Sequence, residues 1–277
     1  MEEKDSIREK NELPRIKYSE LNGIKYKQLS EENPFQRDIQ TDLLEWKEDP
    51  MHVVLQLEGT RQVGKTTELL KFAYNNYEYL IYVNAADDIY GFASVLKSPR
   101  MVSAMQEYCR TAGLPEFVND KNTILIIDEI QNSYNIYNSI RRMYSTFKCD
   151  IVITGSYLGK ILGNRDFFLP AGTIEKRYLF TLSFREFCRV YKKEKILDNI
   201  DLHGRGNNGD YTALEELYQL YVKIGGYPEV IKRYRQTKSI SICYETIHKL
   251  LVTFKEESRN YFDGDRDVEI FDSVYRE

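Results

Sequence analysis

The sequence is poor in the residues that build metal sites and covalent cross-links. Its 277 residues include four cysteines and three histidines, and no two cysteines form a C-x-x-C pair. A structural zinc site needs such ligands close together, so this spacing argues against one. Unpaired cysteines are typical of a reducing compartment, and we therefore expect free thiols and a cytoplasmic location.

Long hydrophobic runs and biased segments are missing as well. The longest purely aliphatic run, residues 124–127, is far shorter than the roughly 20 residues of a membrane-spanning helix. The charged N-terminus lacks the apolar centre of a signal peptide. The net charge of −4 gives no overall attraction to nucleic acid. These absences favour a globular protein with no membrane partner.

The most informative stretch is residues 59–66, which follow the apolar run 53–57 and read Gly-Thr-Arg-Gln-Val-Gly-Lys-Thr. Two glycines separated by four residues and followed by Lys-Thr let backbone N–H groups curl around phosphate oxygens. Lys65 can reach the β- and γ-phosphates, and the Thr66 hydroxyl can bind Mg²⁺. The alternative is a glycine-rich surface turn with a solvated lysine. We predict a strand, a loop and a helix that bind nucleotide through Gly59, Thr60, Arg61, Gln62, Val63, Gly64, Lys65, Thr66 and Thr67.

Residues 123–127 have the pattern of a strand buried on both faces, and two carboxylates, Asp128 and Glu129, follow it directly. Because ligands of parallel sheets lie at the carboxyl ends of the strands, we expect Asp128 and Glu129 near the phosphate loop. Asp128 is assigned to Mg²⁺ and Glu129 to activation of the attacking water. The alternative is a polar strand end with a capping aspartate.

Residues 150–153 predict another buried strand, which ends in Thr154-Gly155-Ser156. A hydroxyl there could contact the γ-phosphate or hold the attacking water, and a simple strand-to-helix turn is equally compatible. A catalytic arginine would have to come from a small set of candidates. We favour Arg165, which lies in a Gly-Asn-Arg-Asp turn. The alternative for Arg165 is a solvated loop residue. The complete set is Arg141, Arg142, Arg165 and Arg177.

The absence of two motifs narrows the choice of nucleotide. No Asn-Lys-x-Asp stretch for guanine is present, and protein-kinase signatures are absent, so we expect ATP. Residues 34–37 could line the base. Basic runs at residues 176–195 and 232–235 could contact nucleic acid, although solvated faces are the favoured interpretation.

Strand and helix patterns alternate from residue 34 onward, which predicts an α/β domain with a mostly parallel sheet. Residues 1–33 have few apolar anchors and are interpreted as a tail or arm. The turn-rich segment 203–210 marks a boundary, so we assign residues 34–202 to the core and 203–277 to a small helical region.

Several segments, in order, resemble the prokaryotic AAA-superfamily ATPases with an Arg-Gln-Val-Gly-Lys-Thr phosphate loop. They are residues 59–67, Ile-Asp-Glu-Ile-Gln at 127–131, Ile-Thr-Gly-Ser at 153–156, Leu-Ser-Phe-Arg-Glu-Phe at 182–187 and Gly-Gly-Tyr-Pro-Glu at 225–229. Two features differ from the family pattern. The usual Ala-Gly-Arg reads Ala171-Gly172-Thr173 here, and the sequence ends at Glu277 where the family usually continues, as expected of a truncated or split form.

The resemblance implies a three-layer P-loop NTPase core with five strands and an additional-strand arrangement, followed by a helical lid. It also implies that Glu129 is the catalytic glutamate and that Thr154 or Ser156 senses the phosphate. The expected function is Mg²⁺-dependent ATP hydrolysis that moves the lid, alone or in a homo-oligomer. The alternative is a slow ATP-dependent switch or scaffold for a partner protein or nucleic acid.

Overall fold

The computed structural model describes residues 20–21, 24–25, 35–156, 172–200, 208–258, 269–270 and 273. These residues form two compact units. One contains the described residues of 1–60 and 64–180, and the other contains Arg61–Val63 and the described residues from Thr181 onward. Most of the predicted N-terminal arm and the favoured arginine, Arg165, lie outside the described residues.

The first unit is built on a parallel five-stranded sheet. Its strands are β3 (Val54–Glu58), β4 (Tyr79–Asn84), β5 (Thr123–Asp128), β6 (Asp150–Thr154) and β7 (Ile174–Tyr178), and a separate antiparallel pair is formed by β1 (Glu20–Leu21) and β2 (Ile24–Lys25). The order across the sheet is β4-β5-β6-β3-β7, with every neighbouring pair parallel. An extra strand, β6, therefore lies between β3 and β5. This confirms the α/β class, the five strands and the additional-strand arrangement.

Helices of the first unit cover the sheet and explain why the central strands lack polar alternation. They are α1 (Ile39–Glu48), α2 (Lys65–Asn76), α3 (Phe92–Val95), α4 (Met101–Thr111), α5 (Tyr134–Asn138) and α6 (Ile140–Thr146). All six residues of β5 and all five of β6 are buried, as expected for strands packed on both faces. Phe92, Met105 and Ile136 pack with Ile127 and Ile153 in one apolar core.

Helices α5 and α6 are separated at Ser139. The Ser139 hydroxyl donates to the carbonyl oxygen of Asn135 at 2.8 Å. A serine that bonds to the carbonyl four residues earlier competes with the helical backbone pattern, and this local bond accounts for the division. Ile136 on α5 and Met143 on α6 are both buried.

The second unit contains the helices α7 (Phe184–Val190), α8 (Glu194–Asp198), α9 (Asn208–Ile224), α10 (Pro228–Thr237) and α11 (Ile240–Ser258). Helix α7 begins behind Ser183, whose side chain and that of Glu186 form a reciprocal capping box. Helix α10 begins at Pro228, with Tyr227 as its N-cap residue between this proline and the glycine pair that follows α9. The helical C-terminal region is thereby confirmed.

Two motifs that are far apart in the sequence meet in this unit. The Leu182 N–H donates to the Gly226 carbonyl at 2.7 Å, and the Tyr221 hydroxyl donates to the Leu182 carbonyl at 2.8 Å. A Cβ at position 226 would lie 2.3 Å from the Leu182 oxygen, so only glycine fits there. Leu182 lies four residues beyond the end of β7 at Tyr178 and makes its backbone contacts with the second unit's own residues.

The division between the units falls after Phe180, whereas the boundary predicted from the sequence lies at residue 203. Aromatic packing explains the difference. The ring of Phe184 lies 5.3 Å from that of Tyr218, and the ring of Phe187 lies 5.2 Å from that of Tyr221. Helix α7 is thus part of the helical unit, and the domain limits given above stay a prediction. None of the helices in the described ranges is apolar and long enough to cross a membrane.

Candidate phosphate-binding site

The loop between β3 and α2 has the backbone that the glycine spacing predicts. Gly64 has φ 99°, a left-handed conformation that favours glycine, and it caps the helix that begins at Lys65. Gln62, at the exposed tip, is also left-handed with φ 60°. The N-terminus of a 12-residue helix therefore opens directly out of the loop.

Lys65 is folded back across this loop. Its ammonium group donates to the carbonyl oxygens of Gly59 and Thr60, both at 2.9 Å, and lies 3.4 Å from the Ser156 hydroxyl. Only 8% of the residue is exposed. A buried ammonium held by neutral acceptors is well suited to an anionic ligand, because a phosphate oxygen offers a stronger, charge-assisted partner.

Asp128 lies at the end of β5 and gathers three donors. The Thr66 hydroxyl donates to its Oδ2 at 2.6 Å, the Tyr82 hydroxyl donates to the same oxygen at 2.9 Å, and the Glu129 N–H donates to Oδ1 at 2.8 Å. Burial, and then the negative charge of Asp128, raise the pKa of Tyr82 well above its usual value. Tyr82 therefore remains a hydrogen-bond donor that orients the carboxylate.

Tyr82 was not identified from the sequence. It lies two residues before the end of β4, and the parallel register pairs Tyr82 with Ile126 and Asn84 with Asp128. A tyrosine on a half-buried strand is ordinarily a packing residue. Only the register between β4 and β5 shows that its hydroxyl reaches Asp128.

Glu129 has an unusual backbone, with φ 51° and ψ 39°. The Gln131 side-chain amide donates from Nε2 to Oε2 of Glu129, and Oε1 of Gln131 accepts from the Ser156 N–H at 3.3 Å. Left-handed non-glycine residues cost free energy and occur often at functional sites. Gln131 was quoted above only within a family motif, and no role was predicted for it.

The structure distinguishes the two hydroxyls at the end of β6. The Thr154 hydroxyl is buried and donates to the Leu57 carbonyl at 2.9 Å, a bond that ties β6 to β3. Ser156 is buried beside Lys65. Of the two residues, Ser156 is the one placed to contact a phosphate.

The arginine candidates that are described are engaged elsewhere or exposed. Arg142 donates to the carbonyls of Leu96 and Ser98, Arg177 forms an ion pair with Glu175, and Arg141 is exposed on α6. The buried Arg37, considered for the nucleotide base, donates to the Phe180 carbonyl at 2.7 Å.

Charged neighbours also reduce the basic character of the two lysine- and arginine-rich runs. Ion pairs join Lys176 to Glu58, Arg189 to Glu194 and Arg233 to Glu229. Paired cations contribute less to phosphate attraction, so the solvated or structural interpretation of these runs is favoured.

Thr66 and Asp128 suit a magnesium ion that is bound together with a nucleotide. They are too few to form a metal site made of protein ligands alone. Mg²⁺ usually takes one or two protein oxygen ligands and completes its shell with water and substrate phosphates. Within the described part of the chain, no group of three or more His, Cys, Asp or Glu side chains could hold a metal. One hydroxyl and one carboxylate next to a phosphate loop are therefore the donor set expected for Mg²⁺ with a nucleotide.

Comparisons with known proteins agree with this geometry. Residues 52–188 match a family model described as an AAA domain. An uncharacterized protein of Haemophilus influenzae is 24% identical over 211 residues, which are 73% of this chain and 44% of that protein. The chain thus spans less than half the length of this relative.

One solved structure shows the same fold at low sequence identity. A Walker-type ATPase of Pyrococcus abyssi aligns with a TM-score of 0.50 and 15% identity, covering 82% of this chain and 76% of the other. PCH-2 of C. elegans aligns less closely, with a TM-score of 0.43 and 13% identity over 80% of this chain and 70% of the other.

Proposed function

Residues 52–188 form an AAA domain with the fold of P-loop ATPases, and from this premise we propose that the protein binds ATP with Mg²⁺ and hydrolyses it to ADP and phosphate. The observation that carries the proposal is a pair of contacts made by the first two residues of helix α2, which follows the loop after β3. Lys65 lies 3.4 Å from the hydroxyl of Ser156, just after β6, and Thr66 donates to Asp128, at the end of β5, at 2.6 Å.

Each side chain has a separate part in the proposed reaction. The Lys65 ammonium binds the β- and γ-phosphates. To do so, it gives up its hydrogen bonds to the Gly59 and Thr60 carbonyls and donates to phosphate oxygens instead. Thr66 and Asp128 hold Mg²⁺, which when bound neutralises charge on the transferred phosphoryl group. Ser156, beside Lys65, donates to the terminal phosphate.

Glu129 is the proposed base. Its carboxylate accepts the proton of the attacking water, and a positioned base of this kind contributes about 10²- to 10⁴-fold to a rate. The remaining acceleration comes from orientation and from charge stabilisation by Lys65 and Mg²⁺. Arg165 remains the proposed source of further positive charge.

We further propose that turnover moves the helical region. The middle of the phosphate loop, Arg61–Val63, belongs to the same compact unit as helices α7 to α11. The two ends of the loop belong to the first unit and its middle belongs to the second, and this division supports the proposal. The test is a nucleotide-dependent change in distance between spin labels on Tyr144 of α6 and Tyr244 of α11, which are both exposed.

Steady-state ATP hydrolysis with and without Mg²⁺ tests the catalytic proposal. The Glu129→Gln variant should keep its affinity for ATP and lose at least about 100-fold in kcat, because it retains the shape and loses the base. An unchanged kcat in this variant would refute the role of Glu129. No hydrolysis by the wild-type protein under any condition would refute the ATPase.

A slow switch is the second candidate, and the arginine candidates that lie within the described residues favour it. Arg142 and Arg177, two of the four candidates, are committed to other partners. A site that lacks an arginine in its resting form turns over slowly until one is supplied. Single-turnover measurements decide between the two, since rapid hydrolysis by the isolated chain would exclude the switch.

A further inference from the structure

The side chain of Gln131 bridges two parts of the proposed site. Its Nε2 donates to Oε2 of the Glu129 carboxylate, while its Oε1 accepts from the Ser156 N–H at 3.3 Å. Gln131 is 8% exposed, and it lies in the short 3₁₀ turn Ile130–Asn132 that directly follows Glu129. One amide thus links the end of β5 to the end of β6.

These two partners require an amide at position 131. A carboxylate only accepts hydrogen bonds and a backbone N–H only donates, so the bridging group must present one donor and one acceptor. Glutamine does this with a fixed orientation of its amide. Glutamate at the same position would keep the bond to Ser156 but would place a negative charge against Glu129.

The bridge also determines which oxygen of Glu129 is available. Oε2 accepts from Gln131, and Oε1 accepts from no protein donor in the described residues. Oε1 is therefore the less hydrogen-bonded oxygen and the better proton acceptor toward water. Because Ser156 lies beside Lys65, the same bridge ties the orientation of this carboxylate to the part of the site that contacts phosphate.

We infer that Gln131 is a positioning residue that holds the Glu129 carboxylate for water activation and couples it to the Ser156 end of β6. This inference rests on the proposed ATPase function. An unrestrained glutamate side chain has several rotatable bonds, and fixing it in the transition state has an entropic cost. Loss of the bridge should therefore lower kcat about tenfold and leave KM within about twofold.

The kinetic test compares Gln131→Met, which keeps the length and removes both hydrogen bonds, with Gln131→Glu, which keeps the bond to Ser156. Both should lose kcat, and Gln131→Glu should lose at least as much because of its charge. Asn132→Ala is the matched control: this side chain is exposed and donates to the backbone carbonyl of Glu129 at 3.1 Å, not to its carboxylate. Its kcat should stay within about twofold of wild type, since the carboxylate contact is retained.

A double-mutant comparison separates positioning from a general structural role. In the Glu129→Gln background there is no base left to position, so adding Gln131→Met should lower the single-turnover rate by no more than about twofold. A tenfold loss in that background, or wild-type kcat in Gln131→Met alone, would overturn the inference.

The bridge itself is observable without turnover. In protein labelled with ¹⁵N-glutamine, the Nε2 signal assigned by its loss in Gln131→Met should shift in the nucleotide-free Glu129→Ala variant, because its acceptor is gone. An unshifted signal would overturn the inference whether or not the protein hydrolyses ATP. A shifted signal in a protein without hydrolysis would support the bridge and refute the ATPase, so the two failures are distinguishable.

Discussion

Replacement of Lys65 by alanine removes the side-chain cation that we assign to the β- and γ-phosphates. In the structure its ammonium group lies within 2.9 Å of two carbonyl oxygens and is almost fully buried. The truncated variant leaves those carbonyls in place and removes the positive charge from the centre of the loop. The predicted effect is therefore mainly on ligand binding and not on folding.

The magnitude follows from two estimates. A hydrogen bond to a charged group contributes about 1.5–3 kcal/mol, and two unit charges about 4 Å apart interact by about 4 kcal/mol at an effective dielectric constant of 20. These estimates describe overlapping contributions, so we take roughly 3–4 kcal/mol for the lost interaction. About 1.4 kcal/mol corresponds to a tenfold change in Kd. The Kd for ATP should therefore rise by roughly two to three orders of magnitude.

Calorimetric titration with Mg²⁺-ATP measures this change. Lys47→Ala is a matched control, because this half-buried lysine contacts the carbonyl of Asn76 at the other end of helix α2. Its Kd should equal that of wild type within about twofold, since the distance to the phosphate loop exceeds the range of a direct contact. A Lys65→Ala protein that is folded by circular dichroism and binds ATP like wild type would refute the assignment of the loop.

Other perturbations test separate parts of the structure. Ser156→Ala should slow single-turnover hydrolysis severalfold, because it removes the hydroxyl beside Lys65. Thr154→Val should mainly destabilise the fold, by about 1 kcal/mol, because the Thr154 hydroxyl joins two strands. Denaturant unfolding measures this loss of stability. Tyr77→Phe removes a 2.6 Å bond to Asp150 at the start of β6, so the melting temperature should fall by roughly 5 °C with no change in ATP affinity. The four cysteines are buried, so a thiol reagent should label none in the folded protein and four after unfolding. Burial raises the pKa of Cys109 and Cys149 to about 12, hence the unfolded chain ionises first and stability should decline as the pH rises from about 9 to about 12, which alkaline unfolding curves would measure.

Sequence spacing was sufficient for the features that depend on neighbouring residues. A glycine at position 64 is required by the local backbone, and the predicted helix begins at Lys65 directly after it. Uninterrupted apolar residues identified β5 and β6, and the carboxylates at 128 and 129 follow β5 as expected. The start of α7 also depends on a local bond, since the Ser183 side chain accepts from the backbone only three residues further on.

Features that depend on residues far apart in the sequence were accessible only in the tertiary structure. The bond from Thr154 to the Leu57 carbonyl spans 97 positions. It engages the Thr154 hydroxyl between two strands, so that of the two hydroxyls that the sequence left equivalent, only that of Ser156 lies beside Lys65. Tyr82 reaches Asp128 through strand register, and Gln131 reaches Ser156 across the ends of two strands. Spacing along the chain reports local backbone geometry, whereas the choice of partner across a sheet depends on how strands are ordered and aligned, and that order is set by packing of the whole domain.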